Sequence, residues 1–438
     1  MTTLETAQSV ADSEHWQMSP DRRRAIAAAG IGHFVEYYDY IVYGYVASSI
    51  AAQFFPSSDP TISLMSAFAS FALAYVARPI GGIVFGHFGD RLGRKGVLAV
   101  SILMMGGGAL LIGVLPSYAA IGAAAPALLL LARMMQGFST GGENAGAASF
   151  LVEYAPARRR GFVTSLQMSS LMLALLAGSA LVAVLRTIMG DVAFEDWGWR
   201  LPFLIGAGLS LIGLYLRMRL EDTPAFQEMK SSETVSRVPL ATTLVHHWRE
   251  VLVCMGFYTS SSVVSYILLV YMPTYSRKEF GLSATEALYS NTIALVLLML
   301  LIPLVGMLSD RIGRKIPLLI FNIALVVVSY PLIAYMAQGG LMHVLPAQLA
   351  FSVICAFFFG AGTAAAAELF PTKVRYTGLA LGNNLATALF GGTAPLLAIW
   401  LIAETGSSIS PAYLLIASGI ITLLAVVPMK ETSHSALK

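Results

Sequence analysis

The sequence predicts an all-helical membrane protein in which twelve transmembrane helices form two pseudo-symmetric halves of six. Three observations predict this fold: a strongly apolar composition, twelve long apolar stretches, and a motif that recurs after half the chain. Of the 438 residues, 57% are hydrophobic and only 12% are charged, whereas soluble domains carry about 25% charged residues. Since such a chain has too little polar surface to cover a water-soluble globule, we expect it to lie in a bilayer, and its mean hydropathy of +0.72 agrees.

Apolar stretches long enough to cross a hydrocarbon core of about 30 Å recur along the chain. These twelve stretches, numbered below as spans 1 to 12, lie at about 24–50, 61–86, 96–115, 124–152, 161–187, 200–219, 250–272, 287–308, 316–337, 344–367, 377–403 and 411–429. Backbone polar groups must be paired inside a bilayer, and the alternation typical of barrel strands is missing, so helices are expected. The expected organisation is an N-terminal tail at 1–23, a first half at 24–220, a linker at 221–248, a second half at 249–429 and a C-terminal tail at 430–438.

The basic residues predict the orientation. Most of the 27 Lys and Arg residues fall in the two ends of the chain and in alternate connections between spans. Because connections rich in Lys and Arg stay on the cytoplasmic side, we expect both termini and the 221–248 linker to be cytoplasmic. The predicted location is the inner (plasma) membrane.

Two motifs recur at an offset of about half the chain, which indicates an internal repeat. The segment 86–95, Gly-His-Phe-Gly-Asp-Arg-Leu-Gly-Arg-Lys, follows span 2, and the related segment 306–315 follows span 8. Likewise, Glu153-xx-Pro156-xxx-Arg160 after span 4 matches Glu368-xx-Pro371-xxx-Arg375 after span 10. The chain is therefore predicted to consist of two six-helix halves.

Several function classes have no support. The phosphate-binding pattern GxxxxGK[ST] and the zinc pattern HExxH are both missing, so neither nucleotide-driven pumping nor zinc proteolysis is expected. A net charge of +3 provides no polybasic field for nucleic acid. We expect no enzyme activity, no metal site and no nucleic-acid partner.

The loop motif Gly-x-x-x-Asp-Arg-x-Gly-Arg-Lys, present twice, resembles that of the major facilitator superfamily. More narrowly, the chain resembles the metabolite:proton symporter family in Gly32-xxx-Glu36-Tyr-Tyr38-Asp39, Arg78-Pro79-xx-Gly82, Gln136-Gly137-Phe-Ser139-x-Gly141-Gly142-Glu143, Glu153-Tyr-Ala-Pro156, Trp197-Gly198-Trp199-Arg200-xx-Phe203 and Thr223-Pro224-x-Phe226. Tyr37 departs from the family pattern, which usually has Trp there. The resemblance covers nearly the whole chain and implies the major facilitator fold and proton symport by alternating access.

The resemblance leaves the substrate open. The family moves organic carboxylates, shikimate-like acids and zwitterionic osmolytes inward with protons. Its osmosensing members extend into a cytoplasmic coiled coil, whereas this chain stops about nine residues after span 12. On that ground we expect an organic carboxylate, with a zwitterionic osmolyte of the proline or betaine type as the alternative. We expect no cofactor apart from the coupling proton, and a monomer in the lipid bilayer.

Charged residues inside the spans are few, and each is a functional candidate because burying a charge there costs at least about 2.5–3.5 kcal/mol. The candidates for proton coupling are His33, Glu36, Asp39, Arg133 and Glu143. Three- and four-residue spacing places one stripe of span 1 toward the central cavity, with Asp39 at its edge: His33, Glu36, Tyr37, Tyr40, Tyr43 and Gly44. A carboxyl group in such a site can hold a proton and later lose it, so Glu36 or Asp39 is the expected carrier.

The guanidinium of Arg133 suits two-bond pairing with a carboxylate, which leaves three partners open: substrate, Glu36 or Asp39. A static ion pair between spans 1 and 4 is the structural alternative. The expected substrate-binding residues are Arg133, Gln136, Tyr37, Tyr43, Tyr258, Tyr266, Asn383 and Asn384, although bonds between helices would also explain the polar ones. Arg78-Pro79 is interpreted as a structural clasp with the loop that follows.

The repeated loop motif predicts a gate. Its charged residues are Asp90, Arg91 and Arg94 in the first half and Asp310, Arg311 and Arg314 in the second. The aspartates can cap the next helix or pair with arginines across the two halves, and such contacts would close the cytoplasmic side. A solvated cluster that only sets topology is the alternative.

The sequence disfavours three other functions. The segment from Gly137 to Gly141 matches GxSxG, but a nucleophile elbow needs a strand-to-helix turn and Ser139 is predicted inside a helix, so an intramembrane hydrolase is disfavoured. A channel is disfavoured because repeated half-bundles closed by charged loops suit alternating access. A drug/proton antiporter would prefer an apolar cavity over one holding Arg133.

Overall fold

The computed structural model describes residues 33–35, 37–92, 94–141, 148, 151–152, 155–219, 248–370 and 375–433, without the side chains of 86–99, 157, 216–219 and 376. Within these ranges all regular secondary structure is helical. The predicted all-α architecture is therefore confirmed.

The first half of the chain contains nine α-helices in the described ranges. They are α1 (33–45, with residue 36 not described), α2 (Ala47–Phe54), α3 (Pro60–Leu92), α4 (Arg94–Val114), α5 (Tyr118–Ile121), α6 (Ala124–Thr140), α7 (Arg160–Met189), α8 (Asp191–Asp196) and α9 (Leu201–Arg219). Two short 3₁₀ segments, Ala157–Arg159 and Gly198–Arg200, precede α7 and α9.

The second half contains eight α-helices in the described ranges. They are α10 (Trp248–Val264), α11 (Met272–Glu279), α12 (Ala284–Ile312), α13 (Lys315–Met336), α14 (Leu341–Glu368), α15 (Arg375–Ala386), α16 (Ala394–Thr405) and α17 (Pro411–Val426). A π-helical segment, Ser265–Tyr271, joins α10 to α11, and a second, Thr387–Gly391, follows α15.

Eight helical stretches in the described part of the chain are long and apolar enough to cross a membrane, and two shorter apolar helices, 100–114 and Pro411–Val426, accompany them. Parts of predicted spans 1 and 4 lie outside the described residues. The ends of α12 show how local sequence sets the helix boundaries. Ser283 accepts a hydrogen bond from the backbone of Glu286 and the Glu286 carboxylate accepts one from Ser283, which forms a capping box. Gly313 ends the helix at φ +96°, a conformation that favours glycine.

Glycines bring α3 and α6 into close contact. A Cβ atom on Gly137 would clash with the backbone oxygen of Ala74, and one on Gly141 would clash with that of Arg78. The spacing of Gly137 and Gly141 therefore serves close helix crossing, as the sequence indicates. This contact fixes the rotation of α3, and with it the direction in which Arg78 points.

The two halves meet along α7, which packs against α12 and α14, and along α3, which packs against α15 and α16. These contacts enclose a cavity in the centre of the bundle, where the candidate site lies.

Candidate functional site

The central cavity is lined by both halves of the protein. The first half contributes Tyr37, Ile41, Arg78, Ala148, Met168, Leu171, Met172 and Leu175. The second half contributes Tyr258, Ser261, Ser262, Ser265, Tyr266, Leu269, Val270, Phe358, Phe359, Thr363, Leu379, Asn383 and Thr387. Among these described residues Arg78 alone carries a charge, and five are aromatic.

The π-helical segment Ser265–Tyr271 keeps the residues of one wall on a common face. Its lining residues follow a spacing of four: Ser261 and Ser262, Ser265 and Tyr266, Leu269 and Val270. An α-helix has 3.6 residues per turn, so positions eight apart would rotate away from a common face. The wider π turn keeps them on one face, and such segments are frequent at functional sites.

Arg78 lies in the middle of α3, buried, with its guanidinium toward the cavity. Its guanidinium carbon is 5.4 Å from the ring centre of Tyr75 and 5.9 Å from that of Tyr40. Its Nε has no hydrogen-bond partner among the described residues, and no described carboxylate forms an ion pair with it. The sequence did not assign Arg78 to the cavity, although an arginine in mid-span was itself a signal. Its interpretation as a clasp with the following loop stays a prediction, because the side chains of that loop lie outside the described part of the chain.

Arg133 does not line the cavity in this conformation. It is fully buried below Tyr40, Tyr43 and Phe71, with its guanidinium carbon 4.6, 4.3 and 5.2 Å from their ring centres. Its Nη1 donates to Gln136 Oε1 at 2.8 Å and to the Tyr40 carbonyl at 3.4 Å. The same aromatic layer separates Gln136 from the cavity lining.

Asp39 is also fully buried, but it faces α9. Ser210 donates to its Oδ2 at 2.8 Å, and a Cβ atom on Gly206 would clash with its Oδ1. Oδ1 has no hydrogen-bond partner in the described part of the chain, and Asp39 and Arg133 form no ion pair with each other. Asp39 therefore has one hydroxyl donor and no described cationic partner in a fully buried pocket.

The structure divides the predicted stripe of span 1. Tyr37 lines the cavity, and its ring lies 4.6 Å from that of buried His33. Tyr43 does not reach the cavity, because it packs over Arg133 and its hydroxyl is 2.5 Å from Ser70 Oγ. Glu36 and Glu143 lie outside the described residues.

In the second half, Tyr258, Tyr266 and Asn383 line the cavity as the sequence suggested. Asn384 instead donates to the Gly141 carbonyl at 2.9 Å, which connects the two halves. This is the helix-to-helix alternative that the sequence left open for the polar residues.

At the end of the bundle that carries the repeated loop motif, Asp310 bridges the halves. Its two carboxylate oxygens accept backbone N–H groups of Gly161 and Phe162, at 2.8 and 2.9 Å, at the start of α7. A helix N-terminus carries partial positive charge, so the carboxylate is stabilised there. Arg314 donates to Asp310 Oδ1 at 2.8 Å, whereas Arg311 is exposed.

Glu368 extends this cluster. It lies 3.5 Å from Arg314 and 3.7 Å from Arg160, which belongs to the other half. Sequence reasoning did not assign Glu368 and Arg160 to the gate, although the second repeated motif, in which both stand, was the signal. The side chains of Asp90, Arg91 and Arg94 lie outside the described part.

Glu431 caps the next helix at this end, outside the membrane-spanning segments. Burial alone would raise its pKa, but backbone N–H bonds from Arg314, Ser433 and Lys315 outweigh burial and lower the pKa of Glu431 to about 2. Its neighbour Thr432 donates to Glu368 at 2.6 Å. The residues after α17 therefore touch the same cluster.

The opposite end of the bundle is also bridged. Glu195 in α8 lies 3.5 Å from Arg277 in α11, and Lys278 donates to Thr61 at 3.3 Å. Contacts between the halves thus occur on both sides of the cavity.

Known proteins that are similar to this chain are transporters. A family model described as "Sugar (and other) transporter" matches residues 25–438. The glycine betaine/proline/ectoine/pipecolic acid transporter OusA of Dickeya dadantii is 38% identical over 428 residues, covering 95% of this chain and 85% of the relative. The proline/betaine transporter of Escherichia coli is 37% identical with the same coverage. The inner membrane metabolite transport protein YhjE of Escherichia coli is 34% identical over 99% of each chain.

Among solved structures, the proton:xylose symporter XylE bound to 6-bromo-6-deoxy-D-glucose superposes with a TM-score of 0.75 at 20% identity. The match covers 94% of this chain and 96% of the symporter. At this identity the likeness shows the fold alone, and it confirms the predicted arrangement of two six-helix halves.

Proposed function

Since this chain belongs to the sugar (and other) transporter family of the major facilitator superfamily, we propose that it imports a small zwitterionic solute of the proline or betaine type together with protons. It is a multi-pass membrane transporter and not an enzyme. The proposed cycle exposes the central cavity to one side of the membrane and then to the other.

The substrate class replaces our first expectation, an organic carboxylate. That expectation rested on the length of the chain beyond span 12, and this length says nothing about the residues that line the cavity. Relatives named for proline and betaine match 95% of the chain. They support the zwitterionic alternative.

The observation that carries the proposal is the placement of Arg78. Arg78 is the one charged residue among the described residues that line the cavity, and no described carboxylate forms an ion pair with it. A guanidinium binds a carboxylate through paired, charge-assisted hydrogen bonds. Proline and betaine both present a carboxylate next to a cationic nitrogen, and the aromatic and hydroxyl groups of the same lining can accommodate that nitrogen without a second full charge.

The size of the cavity agrees with a small solute. The cavity offers about 90 Å³ open to the centres of water molecules. A cavity holds a single water from roughly 10–15 Å³ by this measure, so the space exceeds that threshold several-fold. A volume of this order suits a small solute such as proline or glycine betaine.

For the coupling proton we propose Asp39 or Glu36 as the carrier. Asp39 supports this role because it is fully buried, has one hydroxyl donor, and lies on the same helix as the cavity-lining Tyr37. Opening of the bundle toward the cytoplasm would hydrate the pocket between α1 and α9, and the carboxyl group would then release its proton. We further propose that the termini face the cytoplasm of the inner membrane and that the Asp310 cluster closes the cytoplasmic side of the cavity.

The test is uptake by purified protein in proteoliposomes. Radiolabelled glycine betaine and proline should accumulate above equilibrium when the lumen is made alkaline relative to the bath, and a protonophore should abolish the accumulation. Labelled succinate and D-xylose serve as comparison substrates. Accumulation of succinate without proline or betaine would contradict the proposed substrate class, and gradient-independent equilibration would contradict proton coupling.

A further inference from the structure

An aromatic surface on the second half faces the cavity. Tyr258, Phe358 and Phe359 line it together, and their rings form a packed group with Phe257 behind them. The ring centres of Tyr258 and Phe358 are 6.2 Å apart, and those of Phe358 and Phe359 are 6.0 Å apart. Packing from behind holds these rings in place.

Tyr258 is the most exposed member of this group. Phe358 and Phe359 are 3% and 5% exposed, whereas Tyr258 is only partly buried. All three line the cavity, so Tyr258 has the most surface available to a solute. Tyr37 of the first half, which also lines the cavity, lies close enough to interact electrostatically with both Tyr258 and Arg78.

The face of an aromatic ring attracts a cation, and a quaternary ammonium is bound in this way because it has no N–H group to donate. Met168 and Met172 line the first-half side, and their thioethers are soft and polarizable. The described lining residues thus include one cation, Arg78, and several aromatic ring faces. Glycine betaine is complementary to these two kinds of group, because it has a carboxylate and a trimethylammonium separated by one carbon.

We propose that Tyr258, with Phe358 and Phe359 beside it, forms an aromatic subsite for the cationic nitrogen of the substrate, while Arg78 binds the carboxylate. This inference rests on the proposed function, since it concerns how the same cavity recognises a zwitterion. The role belongs to the ring face of Tyr258 and not to its hydroxyl. N-methylated betaines are consequently bound more tightly than amino acids that carry a primary ammonium of the same length.

The experiment measures competition against labelled glycine betaine on purified protein. Two competitors are compared: unlabelled glycine betaine and 3,3-dimethylbutyrate, which has the same shape but carbon in place of the cationic nitrogen. In the parent chain, betaine should bind at least about tenfold more tightly than the isostere. Tyr258→Leu should remove most of this preference, and Tyr258→Phe, which keeps the ring face, should retain it.

Equal affinity of the parent chain for betaine and the isostere would overturn the aromatic subsite, and this arm needs no variant to fold. Equal behaviour of Tyr258→Leu and Tyr258→Phe would also overturn it, while saturable betaine binding in both leaves the proposed function standing. Absence of betaine and proline binding by the parent chain would instead refute the proposed function itself, and the subsite with it.

Discussion

Arg78 and Arg133 are two arginines of the first half whose surroundings differ sharply. Both lie in the middle of long helices, both are buried, and their helices cross closely through glycines. Arg78 lines the cavity, whereas Arg133 lies outside the cavity lining and is packed against three aromatic rings. Two arginines of the same half therefore have different surroundings. The rotation of α3 and α6 determines which arginine lines the cavity.

The enclosure of Arg133 suggests what it does in place of binding substrate. Hydrogen bonds to Gln136 and to the Tyr40 carbonyl, together with the ring faces, offset the cost of burying its charge. Tyr40 is the residue after Asp39. We therefore expect Arg133 to hold the part of α1 that carries the proposed proton site, and Arg78 to meet the substrate.

The largest effect is expected at Arg78. Arg78→Lys should lower the initial rate of proline and betaine uptake by about 10–100-fold, because a point charge cannot replace paired, charge-assisted bonds of about 1.5–3 kcal/mol each. Arg249→Lys, at an exposed arginine at the start of α10, is the matched control and should leave the rate unchanged. If Arg78→Lys takes up substrate at nearly the parental rate, Arg78 does not bind the substrate carboxylate and does not differ from Arg133 in this respect.

Asp39→Asn tests whether Asp39 carries the coupling proton. We expect accumulation driven by a pH gradient to fall to the equilibrium level, because the amide cannot carry the proton, while exchange of labelled for unlabelled substrate persists. Asp59→Asn, at an exposed loop carboxylate, should keep full accumulation. Survival of uphill accumulation in Asp39→Asn would transfer the role to Glu36.

Arg133→Lys should have an intermediate effect. The maximal uptake rate is expected to fall several-fold, since lysine has no planar guanidinium to pack against the rings of Tyr40, Tyr43 and Phe71, but the KM should stay within about threefold of the parent value. Uptake kinetics over a range of substrate concentrations separate the two quantities. A large rise in KM with an unchanged maximal rate would place Arg133 in contact with the substrate.

The smallest effect is expected at Tyr43. Tyr43→Phe removes only a hydroxyl that is bonded to Ser70 and to the Ala67 carbonyl, and it keeps the ring over Arg133. Neutral hydrogen bonds of this kind are worth about 0.5–1.5 kcal/mol each. Uptake should remain within about twofold of the parent rate. Tyr43→Leu, which removes the ring, should resemble Arg133→Lys. If the two Tyr43 variants behave alike, the ring face does not hold Arg133.

The architecture was predictable because its signals are local or repeated. Apolar runs of membrane length and the recurrence of 86–95 at 306–315 required no knowledge of packing. The repeat also singled out Asp310, but the sequence paired it with the next helix or with arginines of the other half. The structure instead places its carboxylate on the backbone N–H groups that begin α7 of the other half, where the partial positive charge of a helix N-terminus stabilises it.

The cavity lining was less predictable, because it depends on how each helix is rotated. The contacts of Gly137 and Gly141 with α3 set the direction of Arg78, and the π turn at Ser265–Tyr271 brings residues four apart onto one face. Neither appears in a 3.6-residue pattern. From its charge, Arg133 is therefore predicted as a substrate-binding residue, whereas in the structure Arg78 lines the cavity.

The division of roles between the two arginines is tested most directly by equilibrium binding of labelled glycine betaine to purified parent protein, Arg78→Lys and Arg133→Lys at one fixed pH. We expect Arg78→Lys to raise the Kd at least about tenfold and Arg133→Lys to leave it within about threefold. The reverse pattern, with binding lost at Arg133 and retained at Arg78, would contradict the assignment of Arg78 as the carboxylate-binding residue.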